Sequence, residues 1–142
     1  MLTDVKVTSA LDYASGSADR NGAALDMTGY EGVLMVVKFA TIATGAVTAV
    51  KAQQDTVSTF AAAAFIEGAA IDVADDDDNQ IFILDVKHPG DEFVRLVIDK
   101  DATNATAESA VYIQYGPSYK PTVNDVANAV TTATVVAAAE AE

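Results

Sequence analysis

The sequence predicts a mostly β protein: an antiparallel β-sandwich, jelly-roll-like or of a related barrel type, with extended N- and C-terminal segments. Three observations carry this. Short runs rich in Val, Ile, Phe and Tyr recur along the chain, Gly, Pro and Asn signals separate them, and no strand–helix alternation of the kind that builds parallel sheets appears.

Residues 4–8 alternate weakly and suit a first strand. Residues 9–29 are rich in Ser, Ala, Gly, Asp and Asn, with Asn21-Gly22 as a turn signal, and read as a long loop or arm. Val33-Leu34-Met35-Val36-Val37-Lys38-Phe39 is a nearly continuous apolar run, the pattern of a strand buried on both faces. After Thr44-Gly45, the run 46–54 divides into two faces: Val47, Ala49, Lys51 and Gln53 on one, Thr48, Val50, Ala52 and Gln54 on the other. The segment 60–65, with four alanines at 61–64, lies between strand signals and reads as a loop or single turn, and 66–73 holds a short strand. An acidic loop, Asp75 to Asn79, precedes three strands: 81–87, stopped at His88-Pro89-Gly90; 92–99, with Val94, Leu96 and Ile98 on one face; and 110–115, stopped at Gly116-Pro117. Residues 101–109 read as a polar turn.

This places a sandwich domain over 1–121 and an Ala/Val/Thr-rich docking arm or tail over 122–142. In the tail Val126, Ala129, Val130 and Ala133 follow helical spacing, while Thr131, Thr132, Thr134, Val135 and Val136 oppose helix because they branch at Cβ.

A chain of 142 residues is long enough to bury a core without staples, and it has no Cys, so disulfides and thiolate chemistry are excluded. The 51% apolar fraction contains 28 alanines, so large apolar side chains are scarcer than that figure suggests. With 21 acidic and 8 basic residues the net charge is −13. Such a chain repels phosphate, which argues against nucleic acid and anionic membranes as partners. The first residues, Met1-Leu2-Thr3-Asp4-Val5-Lys6, lack the pattern of a secretion signal, and no apolar run reaches the length of a membrane span.

Chemistry-bearing motifs are sparse. His88 is the single histidine; with Asp85 and a serine it could build a triad, but no Gly-x-Ser-x-Gly elbow accompanies it. Asp75, Asp77 and Asn79 match the opening of an EF-hand loop, but Gln80 stands where Gly is needed and Val86 where Glu is needed. A solvated acidic turn is the alternative reading. Asn104-Ala105-Thr106 fits a glycosylation acceptor pattern. Arg95, one of two arginines, sits mid-strand and calls for a carboxylate partner, with Asp85 as the candidate, or for a subunit contact. The candidate interface residues are Arg95, Val126, Val130, Val135 and Val136; no catalytic, cofactor or metal residue is assigned.

Asp26-Met27-Thr28-Gly29-Tyr30-Glu31-Gly32-Val33, then Val50-Lys51-Ala52-Gln53-Gln54-Asp55, then Phe93-Val94-Arg95-Leu96-Val97-Ile98-Asp99 follow one another in an order that resembles small virion structural proteins of tailed bacteriophages, notably capsid decoration (cement) proteins. The resemblance covers about residues 26–99. It implies a β-sandwich without catalytic residues or cofactor, synthesis in the host cytoplasm, assembly into the virion, capsid subunits as partners, and a trimeric homo-oligomer. A tail or head–tail component, a carbohydrate- or Ca²⁺-binding sandwich module and a hydrolase are the other readings.

Overall fold

The computed structural model describes residues 2–124 and 129–134. Nine strands follow in order: β1 (Val5–Gly16), β2 (Arg20–Asn21), β3 (Leu25–Asp26), β4 (Gly32–Ile42), β5 (Thr48–Asp55), β6 (Ala64–Val73), β7 (Ile81–Lys87), β8 (Phe93–Lys100) and β9 (Thr106–Tyr115). They form two antiparallel sheets packed face to face, one ordered β1-β9-β4-β7 and the other β2-β8-β5-β6, with β3 also on β8.

Counting β2 and β3 as one interrupted strand gives eight. Each of the first four then pairs with its counterpart counted back from the end: β1 with β9, β2/β3 with β8, β4 with β7, β5 with β6. That is a long hairpin wrapped into two Greek keys, the jelly roll.

Alternation along each strand selects the core. Val33, Met35, Val37 and Phe39 of β4 face Val50 and Ala52 of β5 and Val94, Leu96 and Ile98 of β8 across the sandwich, and all are fully buried. The faces of β5 and β8 are those the sequence alternation gives.

Four expectations need correction. The stretch 9–29 is not a loop or arm throughout: β1 extends to Gly16 and β2 and β3 lie within it. Its small residues are compatible with strand because β1 pairs with β9 through two register shifts, at Ser9/Leu11 and Leu11/Ala14. The polar stretch 101–109 is a turn only as far as Ala105, since Thr106 and Glu108 already point into the interior from β9. Ala64 and Phe65 belong to β6 rather than to the preceding loop. Finally, β4 is not buried on both faces: Leu34 and Val36 are only half-buried and Lys38 is exposed, because β4 is central in its sheet but has the second sheet on one side only.

The boundary at 121/122 is crossed by hydrogen bonds. Thr122 Oγ1 donates to Val5 O at 2.6 Å, Asn124 Nδ2 donates to the same oxygen at 2.7 Å, and Asn124 Oδ1 accepts Val7 N–H at 2.6 Å. Val126, Val135 and Val136 lie outside the described residues; Val130 is half-buried.

Candidate functional site: the outer face of the β1-β9-β4-β7 sheet

The register of this sheet places its outward side chains in rows. Ser9, Val111, Val36 and Ile83 form one row, and Val7, Ile113, Leu34 and Asp85 the next. Ile81 stands beside Lys38 at one end. Seven aliphatic side chains therefore adjoin across four strands, with Ile81, Ile83 and Val111 exposed at 60, 54 and 38%. Strand spacing of about 4.8 Å and about 6.8 Å between successive outward positions give the seven aliphatic positions a footprint of roughly 230 Å².

Tyr115 closes one end of the patch. Its hydroxyl donates to Asp85 Oδ1 at 2.6 Å, and its ring lies over Gly32 so closely that a Cβ there would sit 2.3 Å from the phenolic oxygen. Glycine at 32 is what lets the ring cross β4. Loss of hydration, reinforced by the Asp85 carboxylate, pushes the Tyr115 hydroxyl up to about 12. Beyond it Glu31 pairs with Lys87 at 3.1 Å and lies 3.6 Å from His88 Nε2.

The opposite outer face, on the β2-β8-β5-β6 sheet, is different in kind. Lys51 pairs with Asp99 and lies 5.3 Å from the centre of the Phe65 ring. Arg95 stacks on Phe60 at 4.4 Å and its Nε donates to Gln53 Oε1 at 2.8 Å. Asp85 is therefore not the partner of Arg95. The jelly roll sends the consecutive strands β7 and β8 to different sheets, so neighbours in sequence are not neighbours in space.

The chemistry-bearing motifs are engaged elsewhere. His88 faces Glu31 while Asp85 holds Tyr115, so the structure does not bring these two together as a catalytic pair. In the acidic loop Asp75 Oδ2 accepts Gly45 N–H at 2.5 Å, Asp77 Oδ2 accepts Ala74 N–H at 2.9 Å, and Asp78 Oδ1 accepts Ile42 N–H at 2.7 Å. Three of the four carboxylates thus bind backbone. The Asn104 amide donates to Gly45 O and Asp101 Oδ2, and Thr106 is buried with its hydroxyl on Glu108.

One cluster escaped the sequence reading. Glu108 Oε1 accepts from Lys100 Nζ at 2.9 Å and from Arg20 Nη1 at 3.0 Å, and Oε2 accepts from Thr106 Oγ1 at 2.6 Å. The Lys100 and Glu108 side chains are wholly buried, tying β8 to β9 across the sandwich. The available signal was parity: counting back by twos from the apolar Tyr112 reaches Ala110 and Glu108 on the inner face.

No protein-family model matches the chain, and no curated protein matches it.

Proposed function

We propose that the protein is a non-enzymatic virion structural component that seats the outer face of its β1-β9-β4-β7 sheet on a neighbouring shell subunit, as a capsid decoration protein does. The observation that carries the reading is the aliphatic centre of that face, with Leu34, Val36, Val111, Ile113 and Ile83 adjoining. Fully burying an exposed aliphatic side chain contributes about 1.5–3 kcal/mol; Ile83 and Val111 start exposed, and the half-buried Leu34, Val36 and Ile113 add less.

The charge of −13 specifies the partner further: an apolar seat ringed by basic groups. The face supports docking better than sugar binding, which calls for aromatic platforms and convergent polar groups rather than adjoining aliphatics. The jelly roll recurs in viral capsid and lectin domains, which fits the reading by analogy of fold alone. Under this reading the chain is made in the host cytoplasm and resides in the virion, and the trimer is what the resemblance to decoration proteins implies. The valines of the tail are then secondary contacts, whereas Arg95, on the opposite outer face, points away from this seat.

Binding to purified shells of the same virus tests it. Val36→Lys combined with Val111→Lys alters only outward side chains and should leave a β circular dichroism spectrum while weakening binding at least tenfold. Undiminished binding by a folded double variant, or a particle reconstruction in which the other sheet touches the shell, would sink the assignment.

A further inference from the structure

The lateral edges of the two sheets are not equally protected. Along β1 the side chains of Thr122 and Asn124 occupy the backbone groups of Val5 and Val7, and two register shifts break the strand beyond. β2 and β3 are two residues each. β6 carries a bulge within 66–69, where Gly68 takes φ +78°. These are the usual devices that blunt an edge. β7 carries only the charges of Asp85 and Lys87 at its far end: it runs seven residues against β4 without a register shift and, among the described residues, has no partner strand on its other side.

The register shows which β7 groups face outward. Phe39 N–H donates to Gln80 O at 3.0 Å and His88 N–H to Glu31 O at 2.9 Å, so the even-numbered residues bond to β4. In an antiparallel ladder the intervening residues turn their N–H and C=O the other way. Ile81, Ile83, Asp85 and Lys87 therefore present backbone donors and acceptors at the open edge. The bulge of β6 shares a shallow groove with Leu84, Asp85, Val86 and Lys87, leaving Ile81 to Ile83 the freest stretch.

We propose that two copies of the chain pair through this edge, β7 against β7, antiparallel about a two-fold axis, with Ile81 of one copy opposite Ile83 of the other. This register makes two hydrogen-bonded pairs, hence four backbone bonds, and sets aliphatic against aliphatic twice. It also separates the two Asp85 carboxylates by about 20 Å, whereas Ile83 opposite Asp85 would bring them to about 7 Å. Antiparallel pairing sends each acidic loop, Asp75 to Asp78, toward the second copy's Lys87 and His88, not toward the other acidic loop. Lys87 keeps Glu31 as its own partner, and Lys38 stays beside the loop through Asn79 O. Pairing joins two four-stranded sheets into one of eight, and the two aliphatic faces become continuous. It rests on the geometry of the edge and is independent of the virion reading.

The absence of cysteine gives a clean test on the purified full chain without particles. Hydrogen-bonded antiparallel pairs hold their Cα atoms about 5.5 Å apart, within disulfide range. An equimolar mixture of Ile81→Cys and Ile83→Cys chains, oxidised mildly, should give a covalent dimer; either variant alone should give far less. Sedimentation of the unmodified chain should show the 14.7 kDa monomer converting to a dimer with rising concentration. Ile83→Pro removes an outward N–H without touching the β4 ladder and should raise the dimer dissociation constant at least tenfold, with the β spectrum retained. A monomer at every concentration, a trimer that the mixture does not cross-link, or equal cross-linking by each variant alone would overturn the proposal.

Discussion

The phenol of Tyr112, on β9, acts as the missing strand partner of Leu96, on β8. β2 and β3 bond to β8 on either side of Leu96 but break between Asn21 and Leu25. Into that break Tyr112 inserts its hydroxyl, accepting Leu96 N–H at 2.9 Å and donating to Ala23 O at 2.9 Å. Gly22 is required there, since a Cβ would lie 2.4 Å from the phenolic oxygen. One side chain thus crosses the sandwich and completes the opposite sheet.

Tyr112→Phe should therefore leave the fold intact but orphan the buried Leu96 N–H and take the donor from Ala23 O, which lies on an exposed residue. The expected loss is about 2 kcal/mol, read as a lower urea midpoint with unchanged slope. An unchanged midpoint would mean that water satisfies both groups.

Alkaline pH should unfold the protein earlier than its carboxylates would suggest. Tyr115 is pushed up to about 12, and burial raises Tyr112 as well. Unfolded tyrosine ionises near about 10, so above that pH the unfolded chain binds fewer protons than the native one. The stabilisation is complete below pH 10 and falls as pH rises toward 12. Asp85→Asn removes the carboxylate that holds the Tyr115 proton, and phenolate absorbance should then show that tyrosine titrating lower. An identical titration in Asp85→Asn would refute the role of Asp85.

The Lys100–Glu108 pair calls for a double-variant cycle. With both side chains buried, Glu108→Gln leaves the Lys100 ammonium uncompensated and should cost about 3–5 kcal/mol, whereas Lys100→Met leaves Glu108 paired with Arg20 and should cost less. Lys100→Met with Glu108→Gln should cost well below the sum, because Arg20 is partly exposed and can turn to solvent. Additive losses would show that the two charges do not act as a pair.

The acidic loop separates into members with and without partners. Asp78→Ser loses the bond from Ile42 N–H and should cost about 1 kcal/mol, whereas Asp76→Ser, at an exposed position, should stay within about 0.5 kcal/mol. Millimolar Ca²⁺ should leave the melting temperature unchanged, since only binding to the native state raises it. A rise of several degrees, lost in Asp75→Ser with Asp77→Ser, would reveal a cation site.

Much of this architecture was legible because alternation and turn chemistry are local. The inward sets of β5 and β8, and the stop of β7 at His88-Pro89-Gly90, follow from residue order. What was not legible depends on long-range pairing. Residues 9–16 look like loop until β9 supplies a partner with two register shifts. Arg95 and Asp85 look like neighbours until consecutive strands are sent to different sheets. The candidate site was hidden for a related reason: the run 33–39 has the composition of a strand covered on both sides, and sequence alone does not say that one side lacks a second sheet.

The tail provides the sharpest test of where the folded unit ends. Its first residues seal the β1 edge: Thr122 N–H bonds Thr3 O at 3.0 Å, Thr122 Oγ1 and Asn124 Nδ2 both reach Val5 O, and Asn124 Oδ1 takes Val7 N–H. A chain ended after Pro121 loses all of these and exposes an unpaired edge, so its melting temperature should fall by about 5 °C and it should associate nonspecifically at high concentration. A chain ended after Asn124 keeps every one of these bonds and should melt with the full-length protein. If Val126, Val130, Val135 and Val136 form a docking arm, that second truncation should bind particles more weakly despite its unchanged stability. Equal melting of the two truncated chains would mean that the seal on β1 contributes nothing. Equal particle binding by the full chain and the chain ended after Asn124 would confine the contact to the sandwich.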